Sequence, residues 1–157
     1  MEIMTGSCRF GLWHVHVAWK GDLVHHLRFA REGIDGPVPD VIRQYCAGKP
    51  VDPVSLRSIA TAGDTVSAAI YRAVRSVPYG ETATYGEIAL RVGTSPRAVG
   101  GAMARNPTPL VVPCHRIVAQ GGIGGFSPAV EIKEALLRME ARERGKGGLN
   151  RSSPHSF

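Results

Sequence analysis

The sequence predicts an α+β fold: a small N-terminal lobe with an antiparallel hairpin or sheet and a helix, then a mostly helical C-terminal lobe containing a helix-turn-helix. Three observations carry this. Strand-forming residues fill two runs near the start of the chain, and apolar residues recur at helical spacing from Val66 onward. Stretches bearing proline and glycine separate the two halves. The 157 residues suffice for one domain or two small lobes with real cores, and a hydrophobic share of 43% is ordinary for a globular protein. No apolar run has the length to cross a bilayer. The opening "MEIMTGSCRF" lacks the basic-then-apolar pattern of a secretion signal. A cytoplasmic protein without membrane association is expected.

The elements follow in order. "FGLWHVHVAW" (Phe10–Trp19) and "DLVHHLRFA" (Asp22–Ala30) read as strands broken by a hairpin-like Lys20-Gly21-Asp22. "PDVIRQYCAG" reads as a short helix closing at Gly48. The proline-rich "KPVDPVSL" leads to a lobe boundary near Ala60–Gly63. Val66, Ala69, Ile70, Ala73, Val74 and Val77 then mark a helix with Asp64 as its N-cap, stopped by Pro78 and Gly80. Thr84 with Glu87 three residues on is a capping box for a helix running to Gly93. Ser95 and Pro96 suit the N-cap and first position of the next helix, whose core stripe is Val99, Ala102 and Met103. Gly100, Gly101 and Ala104 keep much of its remaining surface low, at roughly 1 kcal/mol per glycine relative to alanine. Tight helix packing or the close approach of something bulky explains them equally well. Residues 130–143 form an amphipathic helix with Ile132, Ala135, Leu136 and Met139 inward, and the polar residues 146–157 read as a flexible tail.

Charge narrows the function classes. The formal net charge is +6, and from Ile88 to Val130 there is no acidic residue, although Arg91, Arg97, Arg105 and Arg116 are present. Such a one-signed segment suits a phosphate backbone. Arg97 stands in the first turn of its helix, where a cation opposes the helix dipole. It is either a solvated arginine or one that projects toward an anionic or stacked partner.

Three cysteines, Cys8, Cys46 and Cys114, make neither a disulfide framework nor a paired zinc motif. Cys8 with His14, His16, His25 or His26 is the weak exception for metal, and no metal is assigned. Cys46 reads as a small core residue. Cys114 lies in "LVVPCHRIV", where it is a buried spectator, a metal ligand or a nucleophile. A free thiol is only a few per cent thiolate near neutral pH, so a nucleophile would need His115 to take its proton, directly or through water. A histidine doing this work needs an orienting carboxylate; Glu140, one turn beyond Leu136 and Leu137 at the edge of the apolar face, is the candidate. A cysteine hydrolase would use the same pair. The loop "AQGGIGGFSPAV" lacks the context of a nucleotide site.

"PCHRIV", preceded by "RNPTPLVV" and "RAVGGAM" and followed by "GGFS", resembles the O6-alkylguanine-DNA alkyltransferases from about Val77 to Glu140. The resemblance implies a ribonuclease-H-like N-terminal lobe over 1–61 and a winged-helix-like alkyltransferase domain over 62–145. It implies repair by direct damage reversal: a base is flipped from duplex DNA, and the alkyl group of O6-alkylguanine, or less well O4-alkylthymine, passes irreversibly to the protein. Cys114 would be the acceptor, His115 the base acting through a water, and Glu140 its orienting partner. Tyr85 would bond the guanine edge and help protonate the departing base. Asn106 would brace the turn before the active-site segment. Arg97 would enter the duplex, with Ala98, Gly100, Gly101, Ala104 and Arg105 along the DNA-facing helix. Pro113, Arg116 and Ser127 would belong to the substrate pocket. No cofactor is implied. The partner would be double-stranded DNA, met as a monomer and at the nucleoid. Pro128-Ala129 departs from the family's usual glycine pair or aromatic. The alternative is a DNA- or lesion-binding helix-turn-helix protein without chemistry.

Overall fold

The computed structural model describes residues 2–147. The N-terminal lobe is a four-stranded sheet in the order β1-β2-β3-β4. β1 (Met4–Phe10), β2 (Trp13–Lys20) and β3 (Leu23–Ala30) form an antiparallel meander, and the short β4 (Arg57–Ser58) pairs parallel to β3. The sequence reading ran Phe10 into the second strand and missed β1. Two causes explain this. Gly11 adopts φ +61°, a left-handed turn conformation open to glycine, and the chain reverses there. Only Gly6 and Phe10 of β1 are buried, so this edge strand shows little of the alternation that marks a strand. β2 and β3 alternate as expected and bury Val15, Val17, Val24, Leu27 and Phe29. α1 (Asp40–Cys46) covers this face with Ile42 and Tyr45.

The C-terminal lobe opens with α2 (Val66–Val74), capped by Thr65, whose side chain accepts from the Ala68 N–H. Thr65 displaces the expected cap Asp64 because the hydroxyl stands three residues before that donor. The helix ends short of Val77, although Val77 is still buried. The two-residue β5 (Ala83–Thr84) leads into α3 (Tyr85–Val92), and the Thr84–Glu87 capping box forms in full. α4 (Pro96–Ala104) starts at the Ser95 cap with Pro96 at its first position. These two helices make the helix-turn-helix. β6 (Ile117–Val118) pairs parallel to β5.

The last helix, α5 (Val130–Gly147), continues past the expected end at 143. It also enters the segment read as tail, whose residues 148–157 lie outside the described residues. Its apolar face crosses the lobe boundary. Ile132, Leu136 and Met139, with Leu110 and Val111, complete the core of the N-terminal sheet and α1. A second core joins α2, α3 and α4 through Ile70, Val74, Ile88, Val99 and Ala102, reaching Val112 and Ile117. Residues 110–118 therefore lie between the two cores. Among the described residues no helix is long and apolar enough to cross a membrane.

Candidate active site

The segment around Cys114 is a bend and not a regular strand. Leu110 takes φ +73°, a conformation that a branched residue rarely adopts without surrounding support. Asn106 supplies that support: its Nδ2 donates to Val112 O at 2.9 Å, and its Oδ1 accepts from Thr108 N at 3.0 Å. Pro113, at φ −77° and ψ 69°, then opens a single 3₁₀ turn, Cys114–Arg116. Side chains on such a turn do not alternate between faces as on a strand.

Cys114 lines a cavity of about 580 Å³ together with Tyr85, Asn106, Gly125, Ser127 and Pro128. Met103 and Phe126 contribute apolar wall, and β3 adds His26, Leu27, Arg28 and Phe29. Burial pushes the thiol up; the Asn106 side chain and the charge of Lys133 pull it back only in part. The resting group is therefore a thiol and needs a base. Beside it, His115 Nε2 stands 2.7 Å from Glu140 Oε2, both side chains being 1% exposed. Burial lowers the imidazole below its ordinary value despite Glu140, so histidine rests neutral. With Nε2–H donating to the carboxylate, Nδ1 is left as an acceptor; it is buried and has no hydrogen-bond partner among the described residues.

Glu140, which the sequence places at the edge of the apolar face of its helix, is fully buried. Its Oε1 accepts from Gly80 N at 3.0 Å and from Arg116 Nε at 2.9 Å. Its Oε2 accepts from Arg116 Nη2 at 3.0 Å, from His115 and from the Tyr45 hydroxyl. Burial alone would raise the carboxyl, but His115 and Arg116 outweigh it and hold Glu140 well below the usual carboxylate range. Arg116 in turn donates to Val77 O at 3.0 Å and to both oxygens of Asp52.

Two expected pocket residues stand outside the cavity lining. Arg116 is wholly buried and does not line the cavity; two acids and a carbonyl occupy its guanidinium. Pro113 is also buried, is not among the lining residues, and shapes the turn. Ser127 lines the cavity, joined to Pro128 by a cis bond. Tyr85, the first residue of α3, reaches the cavity beside Lys133. Gly124 makes room for it: at φ +81°, a Cβ there would stand 2.7 Å from Tyr85 Oη and 3.2 Å from Lys133 Nζ.

The residues expected on a DNA-facing helix divide between two sides of α4. Gly100 and Ala104 border the Cys114 cavity. Arg97, Ala98, Gly101 and Arg105 line a shallower concavity of about 420 Å³ on the other side. Arg97, Ala104 and Arg105 are exposed.

Sequence reasoning missed three groups. Lys133 is buried and donates to Ile117 O at 2.6 Å and Gly125 O at 3.3 Å; burial lowers it to about 8. Tyr45 and Asp52 come from the N-terminal lobe. Among the described residues, no group of three or more His, Cys, Asp or Glu side chains could hold a metal.

Known proteins resemble this chain in sequence and in fold. A family model described as the DNA binding domain of 6-O-methylguanine DNA methyltransferase matches residues 65–142. A methylated-DNA–protein-cysteine methyltransferase of Metallosphaera sedula is 55% identical over 71 residues, which are 45% of this chain and 46% of that protein. The chain belongs to the O6-alkylguanine-DNA alkyltransferase family. A second methyltransferase of the same description, from Saccharolobus solfataricus, is 41% identical over 99 residues, covering 61% of this chain. That match spans 62% of the relative's length. Likeness of fold reaches further: Mycobacterium tuberculosis OGT, solved in complex with DNA, superposes with a TM-score of 0.72 at 29% identity, covering 87% of this chain and 91% of that one. Alkyltransferase family membership thus rests on the C-terminal lobe in sequence and on both lobes in fold.

Proposed function

We propose that the protein repairs DNA by direct damage reversal, taking the alkyl group of O6-alkylguanine in duplex DNA onto Cys114 in a single turnover. The observation that carries this reading is a buried thiol at an open cavity. Its neighbour is a neutral histidine with one nitrogen held by an ionised glutamate and the other left to accept. The curated relatives are described as methylated-DNA–protein-cysteine methyltransferases, which supports the same chemistry.

His115 Nδ1 takes the thiol proton, directly or through one water, and Glu140 balances the imidazolium. The sulfur attacks the alkyl carbon in line. The carbon–O6 bond breaks as the carbon–sulfur bond forms, and its electron pair leaves with guanine. Tyr85, whose phenol burial keeps protonated, donates to the departing base and recovers a proton from His115. One proton leaves the thiol and one reaches guanine, so the exchange balances. The thioether is stable, and the protein is consumed.

A base stacked in a duplex cannot reach a buried sulfur without being extruded. Exposed Arg97 at the start of α4 would fill the gap in the duplex. The low profile at Gly100, Gly101 and Ala104 lets α4 approach the minor groove. Phosphate contacts from Arg97 and Arg105 make affinity fall with salt.

Incubation with an O6-methylguanine duplex, read by intact-protein mass, tests this reading. One methyl per molecule is expected, located on Cys114 and absent from Cys114→Ala. Catalytic release of a small product, or binding without transfer, would show the reading to be wrong.

A further inference from the structure

We propose that Tyr45 of the N-terminal lobe is a positioning residue of the site, holding Glu140 in place and setting how strongly that carboxylate draws on His115. The inference rests on the role given above to His115 as the base for Cys114. Tyr45 is fully buried in the last turn of α1. Its ring meets Tyr79 edge-on at 6.2 Å and His115 at 6.4 Å, so its packing leaves the hydroxyl little choice of direction. That hydroxyl donates to Glu140 Oε2 and lies 3.3 Å from His115 Nε2.

The argument is one of competition at a single oxygen. Glu140 Oε2 is approached by three donors: Tyr45 Oη–H, His115 Nε2–H and Arg116 Nη2–H. A carboxylate oxygen offers two lone pairs in its plane, so every donor added weakens the hold on the others. Sharing Oε2 with Tyr45 limits the stabilisation that Glu140 can lend to an imidazolium and keeps His115 neutral and able to accept. The same bond fixes the carboxylate's rotation, and with it the Nε2–H tautomer that leaves Nδ1 as the acceptor. Glu140 on α5 and Tyr45 on α1 both face His115. Asp52, capping the turn before β4, and the neighbours Arg116 and Cys114 are further charged or titratable groups near it. Tyr45 is neutral and lies outside the Cys114–Arg116 turn, so its polar atom can be removed without changing the formal charge of the cluster.

The test compares the full-length protein with Tyr45→Phe, which removes one oxygen and preserves the ring. Nitrogen-15 NMR of the histidines reports the tautomer and titration of His115, and alkyl transfer is followed against pH. In the wild type His115 is expected as the neutral Nε2–H tautomer at pH 7. In Tyr45→Phe its titration should move up by about half to one pH unit, the scale of one lost competing hydrogen bond. The acid limb of the transfer rate should move by the same amount. A tyrosine that merely packs would lower the melting temperature and leave both curves in place; unmoved curves, or a downward shift, therefore overturn the proposal. So does an Nδ1–H tautomer in the wild type, a measurement that needs no variant. Wild-type protein that transfers no alkyl group would instead defeat the repair reading, and the His115 titration would still judge Tyr45.

Discussion

Glu140→Gln is the most informative single change, because five donors converge on that carboxylate from Gly80, Arg116, His115 and Tyr45. Glutamine keeps the shape, removes the charge and turns one acceptor into an NH₂ that faces donors. Arg116, wholly buried, then keeps Asp52 as its carboxylate partner among the described residues, and that side chain is 28% exposed. Removing one partner of a buried ion pair costs about 3–5 kcal/mol. At roughly 2–4 °C per kcal/mol for a chain of this size, the melting temperature should fall by on the order of 10 °C at neutral pH.

The pH dependence gives a second, signed readout. Glu140 is depressed in the folded state, so its contribution is fully present above the ordinary glutamate value. It is lost as the pH falls through the lower folded value, because the unfolded chain binds the proton first. Wild-type stability should decline over that acid window, and Glu140→Gln should lack the Glu140 share of the decline. Alkyl transfer should also slow, by up to about 10²–10⁴-fold if the histidine loses its function as a base entirely. Thermal melts from pH 7 to pH 3, with single-turnover rates at pH 7, decide the matter. Unchanged melting and unchanged rate together would refute the account of the cluster.

Three further changes probe separate parts of the molecule. Gly124→Ala places a methyl 2.7 Å from Tyr85 Oη at a left-handed φ; strain of about 1–2 kcal/mol should lower the melt by a few degrees, while displacement of Tyr85 slows transfer more than that loss accounts for. Arg97→Ala should retain slow reaction with free O6-benzylguanine and lose much of its rate on duplex DNA, with a shallower dependence of affinity on log salt measured by fluorescence anisotropy. Thr84→Ala removes the hydroxyl that accepts from Glu87 N–H at 3.0 Å in the α3 capping box, keeps the backbone donor to Glu87, and should cost about 1 kcal/mol by denaturant titration.

Local chemistry was legible in the sequence wherever the partners lie close along the chain. The Thr84–Glu87 box, the Ser95-Pro96 helix start and the Cys114–His115 pair are all neighbours in the sequence. Glu140 was reachable through helical spacing, although its complete burial was not, because a helical wheel does not reveal which lobe covers its polar edge. Tyr45 lies 70 residues from His115 and 95 from Glu140, and it looks like any aromatic on the buried side of a short helix. Lys133 looks like one more charge on a charged helix; only the folding back of residues 117–125 supplies the carbonyls that hold it. Arg116 read as part of a basic surface for the same reason, since both acids that bury it come from distant segments. The side-chain pattern that defines the helix-turn-helix is local, and α3 and α4 form where it predicts them.

The crossing of α5 between lobes has a consequence for how the protein is made. The sheet of the first thirty residues and the helix that covers it cannot finish their core until Ile132, Leu136 and Met139 have been synthesised. A chain growing from its N-terminus must hold the apolar face formed by Val15, Val17, Leu27 and Phe29 partly uncovered through most of translation. The contacts that close it are among the longest in sequence, the kind that slow folding. Cys114 and His115 thus emerge before Glu140, and the reactive pair acquires its charge partner only when α5 docks.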